Sequence, residues 1–462
     1  MACLYILASP IMRLAIAATL ALSLAAPCGV ARAAPPIAFV HVNVIALAAD
    51  GVLPDQTVLV DAGRIQAVGK DVVIPTGTTV IDGHATAYLC PGLADMHTHA
   101  DTRADMAVYL ANGVTSVLNM GEASNAYVGR TKPAANRAEI ASPHIYTAFR
   151  IDGSPRYGSF VVATPDEARW AVRLAKTNGH DFMKVYNDLS PEAFDALVDE
   201  TRLQGLPIVG HGITRVGLRR QLAAGQLMVA HAEEFLYTVF DIDTSQDANA
   251  TPDDAQIPAV VDLVKRSRAV VTADLATYAA IARQWGKPAV VDAFLRAPES
   301  RYVSLQDRIS WKLEDYASRP GSLGDRLAFL SRFVKAMSDA GVPLVTGTDA
   351  PAIPGMAPGF SVHDDMDRLV AAGLSRQQVL VAAARAPGDM MARAFPGQVH
   401  FGTVTPGARA DLVLSAANPL EDLATLRSPL GVMAGGQWFD QAQLQGLLRD
   451  VARRYDEAAF PR

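Results

Sequence analysis

Pro91-Gly92-Leu93-Ala94-Asp95-Met96-His97-Thr98-His99 decides how this chain is to be read. It has the composition of a buried β-strand and ends in two histidines separated by one residue. Side chains alternate across a strand, so His97 and His99 project to the same side. Two neighbouring imidazoles on one rigid element suit a divalent transition metal, zinc above all. A bare His-x-His is also common in ordinary loops. The two readings separate on whether matching residues follow, in order and at strand ends.

They do follow. Lys184 sits within the apolar run Phe182-Met183-Lys184-Val185-Tyr186. There it must be paired, neutral or modified, because an isolated buried ammonium is costly. His211 ends Leu206-Pro207-Ile208-Val209-Gly210-His211, and His231 ends Met228-Val229-Ala230-His231. Asp349 closes Val342-Pro343-Leu344-Val345-Thr346-Gly347-Thr348-Asp349. Any one of these could be a satisfied polar group. All of them at the carboxyl ends of successive strands is hard to attribute to chance.

Those strands belong to a regular alternation. Apolar runs end at Asn119, Ile151, Asn187, Gly212, Glu234, Asp274 and Asp349, with helical stretches such as 164–178, 190–204 and 215–224 between them. With the His97–His99 strand this makes eight βα units, the pattern of an α/β (β/α)8 TIM barrel. Flanking it, short apolar segments at 37–47, 57–60, 64–68 and 78–81 are separated by turn signals such as Ala62-Gly63. The β pattern returns at 410–415 and 431–439, before a final helix from Gln441 to about Ala458. The expected organisation is therefore a signal peptide over 1–33 and a barrel over 90–397. Residues 34–89 and 398–462 would supply the two parts of a small β-sandwich-like domain, the latter with the final helix.

Two stretches break the spacing. Residues 275–341 are long for one connection and carry Tyr278, Trp285, Tyr302, Trp311 and Tyr316. Residues 241–256 are polar and acidic. Both leave strand ends where barrel enzymes build their sites, so each is read either as a lid or substrate wall or as surface decoration.

In this order the segments resemble the amidohydrolase superfamily, in its binuclear form with a carboxylated lysine. Within it the likeness is to the imidazolonepropionase-like and prolidase-like branch. It includes Pro91-Gly92-Leu93 leading into His97 and His99, Lys184-Val185-Tyr186, Gly210-His211-Gly212, Ala230-His231, Gly347-Thr348-Asp349-Ala350-Pro351 and Ala408-Arg409-Ala410-Asp411-Leu412-Val413. The resemblance implies two divalent ions, Zn²⁺ by preference, with His97 and His99 on one and His211 and His231 on the other. Lys184, as a CO₂-derived carbamate, would bridge them, and Asp349 would ligate the first. Only a neutral amine adds CO₂, and a crowded barrel interior lowers a lysine's pKa. A hydroxide between the metals would then attack a C–N amide bond, with Asp349 as proton shuttle. Esters, lactones and phosphoesters suit the same apparatus; a mononuclear deaminase would not need Lys184.

Other residues carry weaker readings. Tyr186 lies one inward step beyond Lys184 and either donates to an oxyanion or substrate carboxylate or packs in the core. Arg150 ends the third strand and either meets an anionic substrate group or forms a structural ion pair. His363 follows the eighth strand and either supports the site or begins a helix. His41, His84, His144, His180 and His400 are assigned to no metal.

The chain has 462 residues, 50% hydrophobic and 19% charged, enough for a large core. Arg13, an apolar run over 14–26 and Ala31-Arg32-Ala33 read as a secretory signal, with Met1 or Met12 as the start. Its removal takes two arginines and no acid, carrying the net charge from −6 to −8. An exported protein this acidic suits a small-molecule substrate and neither nucleic acid nor, after signal removal, a membrane; homo-oligomerisation stays open. Cys90 alone remains, which removes an intrachain disulfide, and it reads as a small buried apolar residue.

Overall fold

The structure, a computed structural model, describes residues 35–459 apart from 122, 158, 159, 246 and 248. The expected signal segment over 1–33 lies outside the described residues. No described helix is long and apolar enough to cross a membrane.

Five strands precede the barrel: β1 (Ile37–Val44), β2 (Leu53–Asp61), β3 (Arg64–Gly69), β4 (Thr79–Asp82) and β5 (Tyr88–Pro91). The β2–β3 turn is Ala62-Gly63, both at positive φ, as a tight hairpin matching the twist of its strands requires. The barrel follows as β6 (Leu93–Thr98), β7 (Val114–Asn119), β8 (His144–Asp152), the short β9 (Phe160–Val161), β10 (Phe182–Val185), β11 (Ile208–Gly210), β12 (Met228–Val229), β13 (Val270–Thr272) and β14 (Leu344–Val345). Three more, β15 (Leu412–Ser415), β16 (Gly431–Ala434) and β17 (Gln437–Asp440), lead into the final helix Gln441–Ala459.

The flanking strands form one sheet in the order β17-β16-β15-β5-β1-β2-β3, with β4 beside β1. The two chain ends meet where β15 runs antiparallel to β5, Val413 opposite Cys90. Phe39, Val42, Leu89, Leu412 and Met433 make its core, capped by Trp438 edge-on to Phe39 at 5.1 Å. Cys90 is fully buried in a separate cluster with Leu93 and Val114, and burial pushes its thiol up to about 12, so it acts as a packing group.

In the barrel sheet the order is β6-β7-β8-β10-β11-β12-β13-β14, with β9 appended to β8. First and last strands are joined by backbone: Met96 N–H donates to Thr346 O at 2.9 Å, Asp349 N–H to His97 O at 2.7 Å and His99 N–H to Ala350 O at 2.8 Å. Inward residues such as Met96, Leu118, Phe182, Met228 and Val345 fill the interior, which is a packed core and not a channel. The amphipathic helices lie outside it and begin where their caps dictate. Thr164 forms a capping box with Glu167 ahead of Pro165–Asn178, and Ser190 caps Pro191–Gln204. The helix expected over 215–224 starts later, at Leu218, because Gly217 takes φ +79° and cannot be its first turn.

Residues 275–341 carry their own structure: helices Leu275–Gln284, Pro288–Arg296, Leu305–Leu313 and Gly324–Asp339, with 3-10 turns Pro298–Tyr302 and Asp315–Ser318. Ala250 and Asp254, within the polar stretch 241–256, instead contact the last of these helices. Arg332 pairs with Asp254 at 2.7 Å and Arg326 donates to Ala250 O at 3.0 Å.

Candidate metal centre

Parallel strands bring side chains far apart in sequence to one end of a barrel. His97 on β6, His99 just beyond it, Lys184 on β10, His211 after β11, His231 after β12 and Asp349 after β14 surround one space. His97 Nε2 is 3.1 Å from Lys184 Nζ and 3.2 Å from Asp349 Oδ1, which lies 2.9 Å from His99 Nε2. The His97 ring is 4.3 Å from that of His231, and His231 is 5.0 Å from His211. The set straddles the barrel mouth with His97 and Lys184 at its floor.

What stands behind the rings fixes their orientation. His97 Nδ1 donates to Ala230 O at 3.1 Å and His231 Nδ1 to Asp274 Oδ2 at 2.5 Å. His211 Nδ1 lies 2.6 Å from Glu234 Oε1, a close contact outside hydrogen-bond geometry. In each case the second nitrogen, Nε2, is left for the centre. Asp95 accepts from Tyr109 and Thr348 hydroxyls, at 2.9 and 2.5 Å, and from His97 N–H at 3.1 Å, tying β6 to the Thr348-Asp349 turn. Asp349 itself takes φ +56°, a left-handed conformation that aspartate tolerates better than most residues.

Electrostatics match this arrangement. Burial pushes the His97 and His211 imidazoles well below their ordinary range, with Lys184 adding to the effect, so both are neutral and able to ligate. Burial opposes ionisation of Asp349, yet His97 and His99 hold its carboxyl well below the usual range. Asp95 and Glu234 are pushed up to about 7 by burial, and Asp274 is raised by burial and then by Asp349. Among the described residues Lys184 is the only lysine or arginine in the fully buried set, against buried Asp95, Glu234, Asp274 and Asp365 nearby. A pocket of neutral imidazoles and carboxylates with so little cationic side-chain charge fits divalent metal ions. Two overlapping groups have the proximity for it, His97–His99–Asp349 and His97–His231–Asp274.

Above the centre opens a cleft of about 560 Å³. Tyr186 forms one wall, its ring 4.0 Å from His211 and beneath the Arg150 guanidinium at 5.3 Å; Arg150 also donates to Tyr157 O at 2.7 Å. The 275–341 excursion supplies the facing wall through Glu314, Asp315, Tyr316 and Arg319. Its Tyr302 and Trp311 are buried structural residues, Trp311 donating to Pro351 O at 2.7 Å. The described residues of 241–256 are absent from the lining. His363 does not join the site: of its two readings it takes the helix one. It lies buried in the helix Phe360–Ala371 and its Nε2 donates to Asn112 O at 3.0 Å, so it secures a helix end away from the cleft. Glu233, Glu234 and Asp274 are residues to which the sequence reading gave no role; the available signal was only an acid at the end of a barrel strand. A larger depression, about 810 Å³, lies at the opposite end among Val270, Pro343 and Leu344, and contains no histidine.

No family model matches the chain. Among curated proteins, a dihydroorotase of Trichlorobacter lovleyi is 26% identical over 178 residues, 38% of each chain, and one of Geotalea daltonii is 27% identical over 177 residues, again 38% of each. The chain thus aligns with well under half the length of the curated relatives it matches. Among solved structures, a bottromycin amidohydrolase superposes with TM-score 0.68 at 22% identity over 90% of each chain. A Xaa-Pro dipeptidase with bound methionine superposes with TM-score 0.65 at 18% identity, covering 88% of this chain and all of that one. In fold, the chain is similar to both of these solved structures. Its barrel carries at the carboxyl ends of strands the six side chains described above, together with two acids, Glu234 and Asp274, behind two of the histidines.

Proposed function

We propose that this chain is a binuclear metal-dependent hydrolase of a C–N amide bond in a small substrate. The observation that carries it is the convergence of four imidazoles, a buried lysine and an ionised aspartate on one space below an open cleft. His97, His99 and Asp349 would hold one ion, His211 and His231 the other, and a Lys184 carbamate would link them. Two such ions, when bound, acidify water and polarise a carbonyl. The chain's own groups do the rest. Asp349, held ionised beside His97 and His99, takes the proton of the attacking water and hands it to the leaving nitrogen. Tyr186 and Arg150 orient the substrate from the β8–β10 side.

The names of the relatives, dihydroorotase, amidohydrolase and Xaa-Pro dipeptidase, support an amide over an ester. Charge in the cleft favours a dipeptide over a neutral cyclic amide. Both signs of charge line it, Arg150, Arg156 and Arg319 with Glu314 and Asp315, a mixture suited to a substrate carrying a carboxylate and an ammonium. Export through residues 1–33 belongs to the same proposal and is read by N-terminal sequencing of the mature protein.

The test is a hydrolysis screen of the zinc-loaded protein against dipeptides, N-acyl amino acids, cyclic amides, lactones and phosphotriesters, with metal content measured on the same sample. Two zinc ions per chain and turnover of an amide support the proposal; turnover confined to lactones or phosphotriesters overturns the bond assignment. Lys184→Ala should lose one ion and most activity, with partial recovery in short carboxylic acids plus metal. Full occupancy and normal turnover in that variant would remove the bridge.

A further inference from the structure

The acceptors behind the histidines are not alike. His97 is backed by a neutral peptide carbonyl, Ala230 O. His231 and His211 are backed by carboxylates, Asp274 at 2.5 Å and Glu234 at 2.6 Å. Both acids are 3% exposed, and neither pairs with a lysine or arginine among the described residues. Glu234 is fixed further by Gly212 N–H, which donates to its Oε2 at 3.0 Å. Asp274 takes φ +49° at the end of β13, as Asp349 does at the end of β14, so both turns aim an acid at the barrel mouth.

Direct carboxylate charge is also unevenly placed. Asp349 contacts His97 and His99, at 3.2 and 2.9 Å, so an ion on that pair would have an anionic side chain of its own. Among the described residues, the carboxylates in contact with His211 and His231 meet them only at Nδ1, on the side away from the centre. We infer that Asp274 and Glu234 are positioning residues that supply the missing charge through the rings, making His231 and His211 stronger donors and setting the affinity of that half of the centre. The inference rests on the binuclear reading above. A carboxylate behind a ligating imidazole fixes its tautomer and raises its basicity, and its loss typically weakens metal binding by roughly 10–100-fold.

The experiment is a zinc titration of chelator-stripped full-length protein against a chromophoric competitor, with bound zinc counted by mass spectrometry. Asp274→Asn and Glu234→Gln keep shape and remove charge, and asparagine shares aspartate's tolerance of positive φ. Each should keep one ion at parental affinity and bind the other roughly 10–100-fold more weakly. Asp274→Glu should recover part of that loss, which a merely structural role would not predict, and the metal-free neutral variants should melt no lower than the metal-free parent. Two acids at separate positions keep the test decisive where one variant fails to fold. Parental affinity for both ions in both neutral variants overturns the inference and leaves the binuclear reading standing. A parent that binds fewer than two ions overturns the binuclear reading itself.

Discussion

His363 and His97 are both buried histidines, and what each ring touches gives them different work. His97 turns Nε2 toward Lys184 and Asp349, whereas His363 spends its Nε2–H on the Asn112 carbonyl. Burial, reinforced by Arg427, pushes His363 down to about 4. Its folded pKa is thus below the unfolded value of about 6.5, and the unfolded chain takes the proton first as pH falls. The stability contributed by the neutral ring is complete above about pH 6.5 and is lost progressively towards pH 4, by up to about 3 kcal/mol. His363→Gln should flatten that part of the stability–pH curve in urea unfolding at stepped pH; an unchanged slope would count against the assignment. Asp349→Asn should retain the fold and cut kcat by roughly 10²–10⁴-fold in steady-state assays, the usual range for a general base. Of these residues, His97 and His99 were legible because a strand repeats every two residues. His363 was left between two readings because its nearness in sequence to Asp349 did not show which way its helix turns the side chain. Asp274 and Glu234 acquire meaning only from rings brought to them by other strands.

Elements were legible where local chemistry sets them and less so where tertiary contacts do. Thr164 with Glu167, and Ser190 ahead of Pro191, announce their helices in the sequence and cap them in the structure. Barrel strands are shorter than the apolar runs that announced them: the run ending at Glu234 contains only Met228–Val229 as strand. The remainder bends into a turn and the helix Glu234–Thr238, which is how His231 and Glu234 come to face inward. The 275–341 excursion was recognisable by length and aromatic content, but not which of its aromatics reach the cleft. Tyr316 does so on a short turn stiffened by Arg319, which pairs with Asp315 at 2.7 Å and lies over both Tyr316 and Trp285, at 5.3 and 5.2 Å. Breaking that stack costs about 1 kcal/mol. Arg319→Ala should therefore raise KM about fivefold with kcat nearly unchanged. A fall in kcat with KM constant would move this wall from binding into chemistry.

At the scale of the whole molecule, the β character of both chain ends was readable, while their register was not, because it depends on residues more than three hundred positions apart. The join is held by more than the β5–β15 ladder. Arg409 pairs with Asp411, donates to Ser116 Oγ on β7 at 2.5 Å and lies over the Phe401 ring at 4.5 Å. One side chain thus connects the C-terminal segment to a barrel strand. Asp411 is 1% exposed and also accepts Gly435 N–H at 2.8 Å, so it serves the β16–β17 turn as well. Removing Arg409 leaves that carboxylate buried without its cation, a situation that typically costs about 3–5 kcal/mol. Arg409→Leu should therefore lower unfolding free energy by about that amount in urea titrations, although the site lies at the far end of the sequence from His97. Arg409→Lys should recover only part of it, since an ammonium cannot pair with Asp411, reach Ser116 and stack on Phe401 together. A loss below about 1 kcal/mol in the leucine variant, the range of an exposed pair, would mean that the sheet and barrel are held by their apolar cores alone.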